Sequence, residues 1–131
     1  MKTLIVEDDF TSRLLLQASL SPYGECHVAV NGKEAVEAFQ TARQEGRRYD
    51  LICMDIMMPE MDGQEALRQI RNLEDEAGVL SGEAAKIVMT TALDDIGNVM
   101  TAFKGLCDAY LMKPINTAKL LAELKSLQLI S

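Results

Sequence analysis

The stretch Thr3-Leu4-Ile5-Val6-Glu7-Asp8-Asp9 joins a short apolar run to a row of acids, and Leu51-Ile52-Cys53-Met54-Asp55 repeats the arrangement fifty residues later. Continuous apolar runs of this length read as buried strands. If the two strands lie parallel and adjacent, their carboxyl ends share one edge of the sheet, and Asp8, Asp9 and Asp55 crowd into one pocket. In open α/β sheets that edge is where ligands bind. Like charges about 4 Å apart repel by roughly 1 kcal/mol in water and about 4 kcal/mol at an effective dielectric of 20. Such a cluster calls for a cation, and an all-oxygen donor set suits Mg²⁺.

Working outward, further strand-like runs occur at His27 to Val30, Ile87 to Met89 and Ala109 to Met112, and stretches of helical periodicity separate all five. That alternation predicts βαβ units on a parallel sheet with right-handed crossovers. The first helix is expected over about Thr11 to Leu20, with Leu14, Leu15 and Ala18 facing inward and Pro22-Tyr23-Gly24 stopping it. Ala35, Val36 and Phe39 give the second helix its buried face. Ala66, Leu67, Ile70 and Leu73 do so for the third, and Ile96, Val99, Met100 and Phe103 for a fourth that begins near Asp94 or Asp95. Asn116 is placed to cap the fifth, whose stripe is Leu120, Leu121, Leu124 and Leu127 with Lys119 and Lys125 outward. Residues 74 to 85 read as a helix end followed by a polar loop, longer than the usual connection of about 4 to 6 residues.

At 131 residues the chain has the size of one domain, 1–131, and neither a repeat nor a second domain is visible. Its 48% hydrophobic and 25% charged composition is that of an ordinary globular protein, and no run approaches the roughly 18 apolar residues that cross a bilayer. The amino terminus has neither the long apolar core nor the cleavage site of a signal peptide, so a soluble protein of the cytoplasm is expected, with no membrane partner. The net charge of −7 lacks the basic excess that nucleic-acid binding requires. Cys26, Cys53 and Cys107 are odd in number and widely spaced, which argues against a disulfide framework or a zinc site. His27, the sole histidine, reads as a strand-end or surface residue.

Two more strand ends deliver groups that suit phosphoryl chemistry: Thr90-Thr91 after the fourth strand and Lys113-Pro114 after the fifth. Singly, a strand-end Asp reads as a helix cap, a Thr as a turn former and a Lys before Pro as a solvated charge. Packing does not require all of them on one rim.

In order and spacing, these residues resemble the receiver domain of two-component response regulators, and the length of the chain most resembles its single-domain, chemotaxis-Y-like members. The resemblance runs from Lys2 to about Gln128. It rests on Val6-Glu7-Asp8-Asp9, Met54-Asp55-Ile56-Met57-Met58-Pro59-Glu60-Met61-Asp62-Gly63, Met89-Thr90-Thr91-Ala92 and Asp108-Ala109-Tyr110-Leu111-Met112-Lys113-Pro114. It implies a flavodoxin-like, doubly wound five-stranded parallel sheet in the order 2-1-3-4-5 with five helices, an order the receiver fold exemplifies. It further implies that Asp55 accepts a phosphoryl group from the phosphohistidine of a sensor histidine kinase in a Mg²⁺-dependent reaction. Asp8, Asp9, Asp55 and the backbone carbonyl of Met57 would hold the ion, and Lys113 would pair with the phosphoryl oxygens. Thr91 would be the switch hydroxyl and Tyr110 the switch aromatic; in the family the Lys113-Pro114 peptide is usually cis, but the sequence alone leaves that isomer open.

Such a protein is a signalling switch rather than an enzyme, although it catalyses its own phosphorylation and slow dephosphorylation. With no length beyond the fifth helix for an output domain, the expected output is contact with a separate effector protein. Leu127, Leu129 and Ile130 carry an apolar edge past that helix, a seat for a partner or for a second copy, so a phosphorylation-dependent dimer is one expectation. Met57 and Leu93 stand where relatives often carry polar residues that assist a hydrolytic water, which implies a long-lived acyl phosphate. Gly105-Leu106 replaces the usual glycine and alanine. Two other readings compete. A non-phosphorylated scaffold is opposed by the intact acids, Thr91 and Lys113. An aspartyl-phosphate hydrolase of the haloacid dehalogenase type needs a second acid where Met57 stands.

Overall fold

The computed structural model describes residues 1–58, 60–80, 82–91 and 106–131. The expected fourth helix, including Asp94 to Phe103, lies outside these residues, as do Pro59, Ala92, Leu93 and Gly105.

Five parallel strands, β1 (Thr3–Val6), β2 (Cys26–Ala29), β3 (Leu51–Asp55), β4 (Lys86–Thr91) and β5 (Ala109–Met112), form one sheet in the order β2-β1-β3-β4-β5. The expected order is observed. Helices α1 (Phe10–Leu20), α2 (Gly32–Gln44), α3 (Gly63–Glu76) and a C-terminal helix (Thr117–Ser126) cover it. No helix among the described residues is long and apolar enough to cross a membrane.

The two-residue alternation of strands divides the core into two layers. Leu4, Val6, Ile52, Met54, Ile87 and Met89 pack with Val36 and Phe39 of α2 and Leu67 and Ile70 of α3. Ile5, Leu51, Cys53, Val88 and Leu111 point the other way, onto Leu16 and Leu20 of α1 and Leu120 and Leu124 of the C-terminal helix. By the same alternation Asp55, two residues past Cys53, lies on the α1 side. Burial pushes the Cys53 thiol up to about 12, so it behaves as a small hydrophobe.

Each of these four α-helices starts at a side-chain cap. Asp9, Asn31, Asp62 and Asn116 accept hydrogen bonds from the amides of Ser12, Glu34, Glu65 and Lys119. Asn116 takes the capping role its position predicts.

One expectation fails in α1. Leu14, Leu15 and Ala18, expected to face inward, are exposed, and Leu16 and Leu20 occupy the core instead. Leu14-Leu15-Leu16 is a run in which apolar periodicity alone selects no face. The Asp9 cap sets the helix rotation, and it brings Leu16 rather than its neighbours down onto Ile5.

The helix end read at residues 74 to 76 is observed, and its first acid is tied into the core. Glu74 is buried and pairs with Arg71 at 2.7 Å, while its second oxygen accepts from the Ala85 amide at 2.9 Å. Arg71 additionally donates to the carbonyls of Leu106 and Ala85 at 2.8 Å each and to Asp108 at 3.1 Å. One guanidinium thereby fastens the end of α3 to the entries of β4 and β5. His27 is bonded on both ring nitrogens, to Tyr49 Oη and Glu25 Oε1, each at 2.8 Å.

Candidate functional site

The site is built from strand ends. β1 runs out at Val6 and presents Glu7 and Asp8, β3 ends on Asp55, β4 ends on Thr91, and Lys113 follows β5. Oxygens of Glu7, Asp8 and Asp55 lie within 4.8 Å of one another. Glu7 is 1% exposed and Asp55 5%, whereas Asp8 faces solvent. Two buried carboxylates and one exposed one therefore share the carboxyl edge of the central strands.

Of the two acids Asp8 and Asp9 expected beside Asp55, only Asp8 lies in the cluster. The Asp9 side chain is turned away to cap α1, its Oδ2 2.8 Å from the Ser12 amide, and that bond holds its carboxyl below the ordinary range. Glu7 takes its place in the cluster. A signal for this was present: an Asp immediately before a helix is a preferred cap. Starting α1 at Phe10 uses Asp9 as the cap and leaves Glu7-Asp8 for the rim.

Lys113 crosses to these acids. Its Nζ lies 2.6 Å from Glu7 Oε1 and 3.0 Å from Asp55 Oδ2. Burial works against the ammonium charge, but hydrogen bonding to Glu7 and Asp55 outweighs it and raises the lysine pKa. Glu7 is pushed up to about 7, first by burial and then by its hydrogen-bonded contact with Asp55, with Lys113 opposing. The Lys113-Pro114 peptide is cis.

Backbone contacts fix the acceptor loop. The Ile56 amide donates to the Thr90 carbonyl at 3.1 Å, the Gly63 amide to the Ile56 carbonyl at 2.9 Å, and the Lys113 amide to the Thr91 carbonyl at 2.8 Å. The Met57 amide donates to Asp55 Oδ1 at 3.3 Å. Gly63 is required by contact, because a Cβ there would stand 2.3 Å from the Asp55 carbonyl oxygen. Thr91 is fully buried at the end of β4, and Tyr110 is half-buried on β5. Burial, with a further contribution from a hydrogen bond to Cys107, raises the Tyr110 hydroxyl to about 12.

The donor set fits Mg²⁺. Three hard carboxylates converge, and the buried Glu7 Oε1, paired with Lys113 at 2.6 Å, keeps a further lone pair for a cation. An oxygen with spare acceptor capacity inside an acid cluster is suited to a cation.

The family model of the response regulator receiver domain matches residues 3–125. The chain belongs to the response regulator receiver family. Among curated relatives of this receiver domain, the probable transcriptional regulator ycf27 of Cyanidium caldarium is 34% identical over 95% of the chain and 45% of that protein. The response regulator MprA of Mycobacterium leprae is 34% identical over 97% of the chain and 50% of the relative. The receiver domain thus spans about half the length of the curated relatives it matches. Among solved structures, it superimposes at a TM-score of 0.81 and 30% identity on one chain of a co-crystal structure of two Saccharomyces cerevisiae proteins, covering 99% of this chain and 92% of that chain. That complex pairs the histidine phosphotransfer protein Ypd1 with the receiver domain of its downstream response regulator Ssk1. The receiver domain of a sensor histidine kinase from Pseudomonas aeruginosa, with magnesium coordinated in its active-site cleft, matches at a TM-score of 0.73 and 29% identity, covering 95% and 94% of the two chains.

Proposed function

We propose that this receiver, acting as one unit over residues 1–131, takes a phosphoryl group from a phosphohistidine onto Asp55 and thereby changes its protein contacts. The placement of Lys113 Nζ 3.0 Å from Asp55 Oδ2, beside a cluster of acids, carries this reading. Phosphoryl transfer needs an in-line nucleophile and positive charge on the equatorial oxygens, and little else from a protein. An Asp55 carboxylate oxygen bonds to phosphorus as the P–N bond to the donor imidazole breaks, and the electron pair stays on that nitrogen, which then takes a proton. Lys113 neutralises charge on the transferred oxygens.

Asp8, Asp55 and Glu7 would hold Mg²⁺, with the Met57 carbonyl completing the set. Bound there, the ion supplies further positive charge for the phosphoryl oxygens. Asp9 acts as a helix cap. The magnesium in the Pseudomonas aeruginosa receiver cleft supports this assignment.

Thr91, buried beside the acceptor strand, is the group that new phosphoryl oxygens attract, and Tyr110 on the adjacent strand responds. The readout surface is the cleft of about 340 Å³ between β5 and the C-terminal helix, where Tyr110, Met112, Pro114 and Lys119 stand. Local charge at Asp55 thus biases a two-state element. The partners of this reading are a histidine kinase or phosphotransfer protein upstream and an effector protein downstream. The yeast phosphotransfer complex supports the first.

Intact mass after incubation with acetyl phosphate tests the chemistry. One phosphoryl group is gained with Mg²⁺, none in its absence, and none in Asp55→Asn. Absence of any gain in folded, Mg²⁺-replete protein overturns the proposal.

A further inference from the structure

Met57 stands apart from the other sulfur-bearing residues. Its side chain is 67% exposed, whereas Met54 and Met89 are fully buried in the sheet and Met58 and Met61 are half-buried against the α2 and α3 layer of the core. Met112, on the edge strand β5, is the next most exposed methionine among the described residues at 41%. The thiols offer less. Burial raises the pKa of Cys26, Cys53 and Cys107 alike, so little of any of them is present as the reactive thiolate. Among the described residues the most accessible sulfur is therefore the Met57 thioether.

Its place is fixed by the acceptor. The Met57 amide donates to Asp55 Oδ1 at 3.3 Å, so the side chain springs from a residue whose backbone touches the acceptor carboxylate. Asp55 is only 5% exposed, and the thioether two residues on lies at the solvent side of that pocket. A thioether is at most a weak hydrogen-bond acceptor, and it offers an approaching water almost nothing. One added oxygen reverses this, because methionine sulfoxide is polar where methionine is apolar. The new oxygen is attached at the δ position, as the side-chain oxygen of glutamine is.

Resting on the reading of Asp55 as acceptor, we propose that Met57 is a site of reversible oxidation, and that its sulfoxide shortens the lifetime of the Asp55 acyl phosphate by accepting a hydrogen bond from the attacking water. The oxidant is a two-electron oxygen donor of the peroxide class. The Met57 sulfur attacks one oxygen of hydrogen peroxide, an S–O bond forms as the O–O bond breaks, and the departing hydroxide takes the proton of the transferred oxygen to leave as water. Sulfur is oxidised by two electrons and the peroxide is reduced. In the hydrolysis, the water oriented by the sulfoxide adds to phosphorus, the P–O bond to Asp55 breaks and its electron pair returns to the carboxylate. The products are the free Asp55 carboxylate, inorganic phosphate and a proton. Peroxide thereby resets the switch faster without touching the acids or Lys113.

The experiment treats the full chain with hydrogen peroxide and locates each added oxygen by peptide mass. The protein is then phosphorylated with acetyl phosphate and Mg²⁺, freed of donor and followed by intact mass. The expected result is one oxygen on Met57 before any other residue and a phospho-protein half-life shortened about threefold or more. Methionine sulfoxide reductases of both stereospecificities restore the untreated half-life. Met57→Gln loses its phosphoryl group faster than untreated wild type with no peroxide present. Met57→Leu has one half-life before and after treatment, and Met112→Leu keeps the peroxide response. First oxidation at Met112 or at a cysteine overturns the site. A Met57 sulfoxide that leaves the half-life unchanged or lengthens it overturns the mechanism, as does a shortening that persists in Met57→Leu, and in each case the acceptor chemistry stands. If untreated, folded protein gains no phosphoryl group from acetyl phosphate, the acceptor reading has failed and this proposal falls with it.

Discussion

Glu7 Oε1 lies 2.6 Å from Lys113 Nζ, closer than the 3.0 Å that separates this ammonium from Asp55 Oδ2. A buried acid outside the expected ligand pair thus holds the lysine in position beside the acceptor. Lys113 is shared between two carboxylates, and removing either one alters its hold on the other.

Stability of the metal-free protein should fall as pH rises through the neutral range. Glu7 is raised from 4.5 to about 7, so between those values the folded state retains a proton that the unfolded state has released. Folding stability is fully present below the lower value and is lost as pH passes the upper one. Urea denaturation in a chelator at about pH 5 and about pH 8 reads this slope. Glu7→Gln flattens it, and Mg²⁺, which favours the ionised acid, restores stability at the higher pH. An unchanged slope in Glu7→Gln would assign the effect elsewhere.

Asp8 and Asp9 should separate cleanly. Asp8→Ala removes a cluster carboxylate, and Mg²⁺-dependent phosphorylation by acetyl phosphate is lost. Asp9→Ala removes the cap bonded to Ser12 and lowers the melting temperature, while phosphorylation survives in the folded protein. Equal loss of phosphorylation in both would restore Asp9 to the metal site.

Gly63 and Gly32 tolerate no side chain. A Cβ at Gly63 would meet the Asp55 carbonyl at 2.3 Å, and one at Gly32 would meet the Met61 carbonyl at the same distance. Each Gly→Ala change should cost about 1 to 3 kcal/mol of stability through backbone displacement. Gly63→Ala should also slow phosphorylation, because the backbone that must yield carries the acceptor. Denaturation midpoints and acetyl phosphate rates measure the two effects separately.

Arg71 should be worth more than an ordinary surface cation. Arg71→Leu leaves Glu74 buried without its partner and is expected to cost about 3 kcal/mol. Glu74→Gln, which retains an acceptor for Arg71, should cost about 1 kcal/mol. Chemical denaturation ranks the two variants, and a reversed order would remove the network from the account.

The acyl phosphate should be long-lived. Met57 is 67% exposed at the rim, where its side chain hinders an attacking water and offers it no hydrogen bond. Met57→Asn combined with Leu93→Glu should shorten the phospho-protein half-life about tenfold. An unchanged lifetime, followed by intact mass after donor removal, would assign the slow step to other groups.

The sequence by itself determined the strand count, the parallel alternation and the convergence of Asp8, Asp55, Thr91 and Lys113 at one sheet edge. These follow from local causes: four- to six-residue apolar runs make strands, and whatever follows a strand in a parallel sheet arrives at the common edge. Asn116 was legible as a cap for the same reason, since capping is settled within one turn. Tertiary structure decided what local pattern leaves degenerate. Among Glu7-Asp8-Asp9, only the start of α1 determines which acid caps and which two face Asp55. Among Leu14-Leu15-Leu16, only the rotation fixed by that cap determines which leucine enters the core and which become surface. Glu74 was legible as part of a helix end, but its burial against Arg71 and the Ala85 amide was not, because burial of a charge depends on partners distant in the chain.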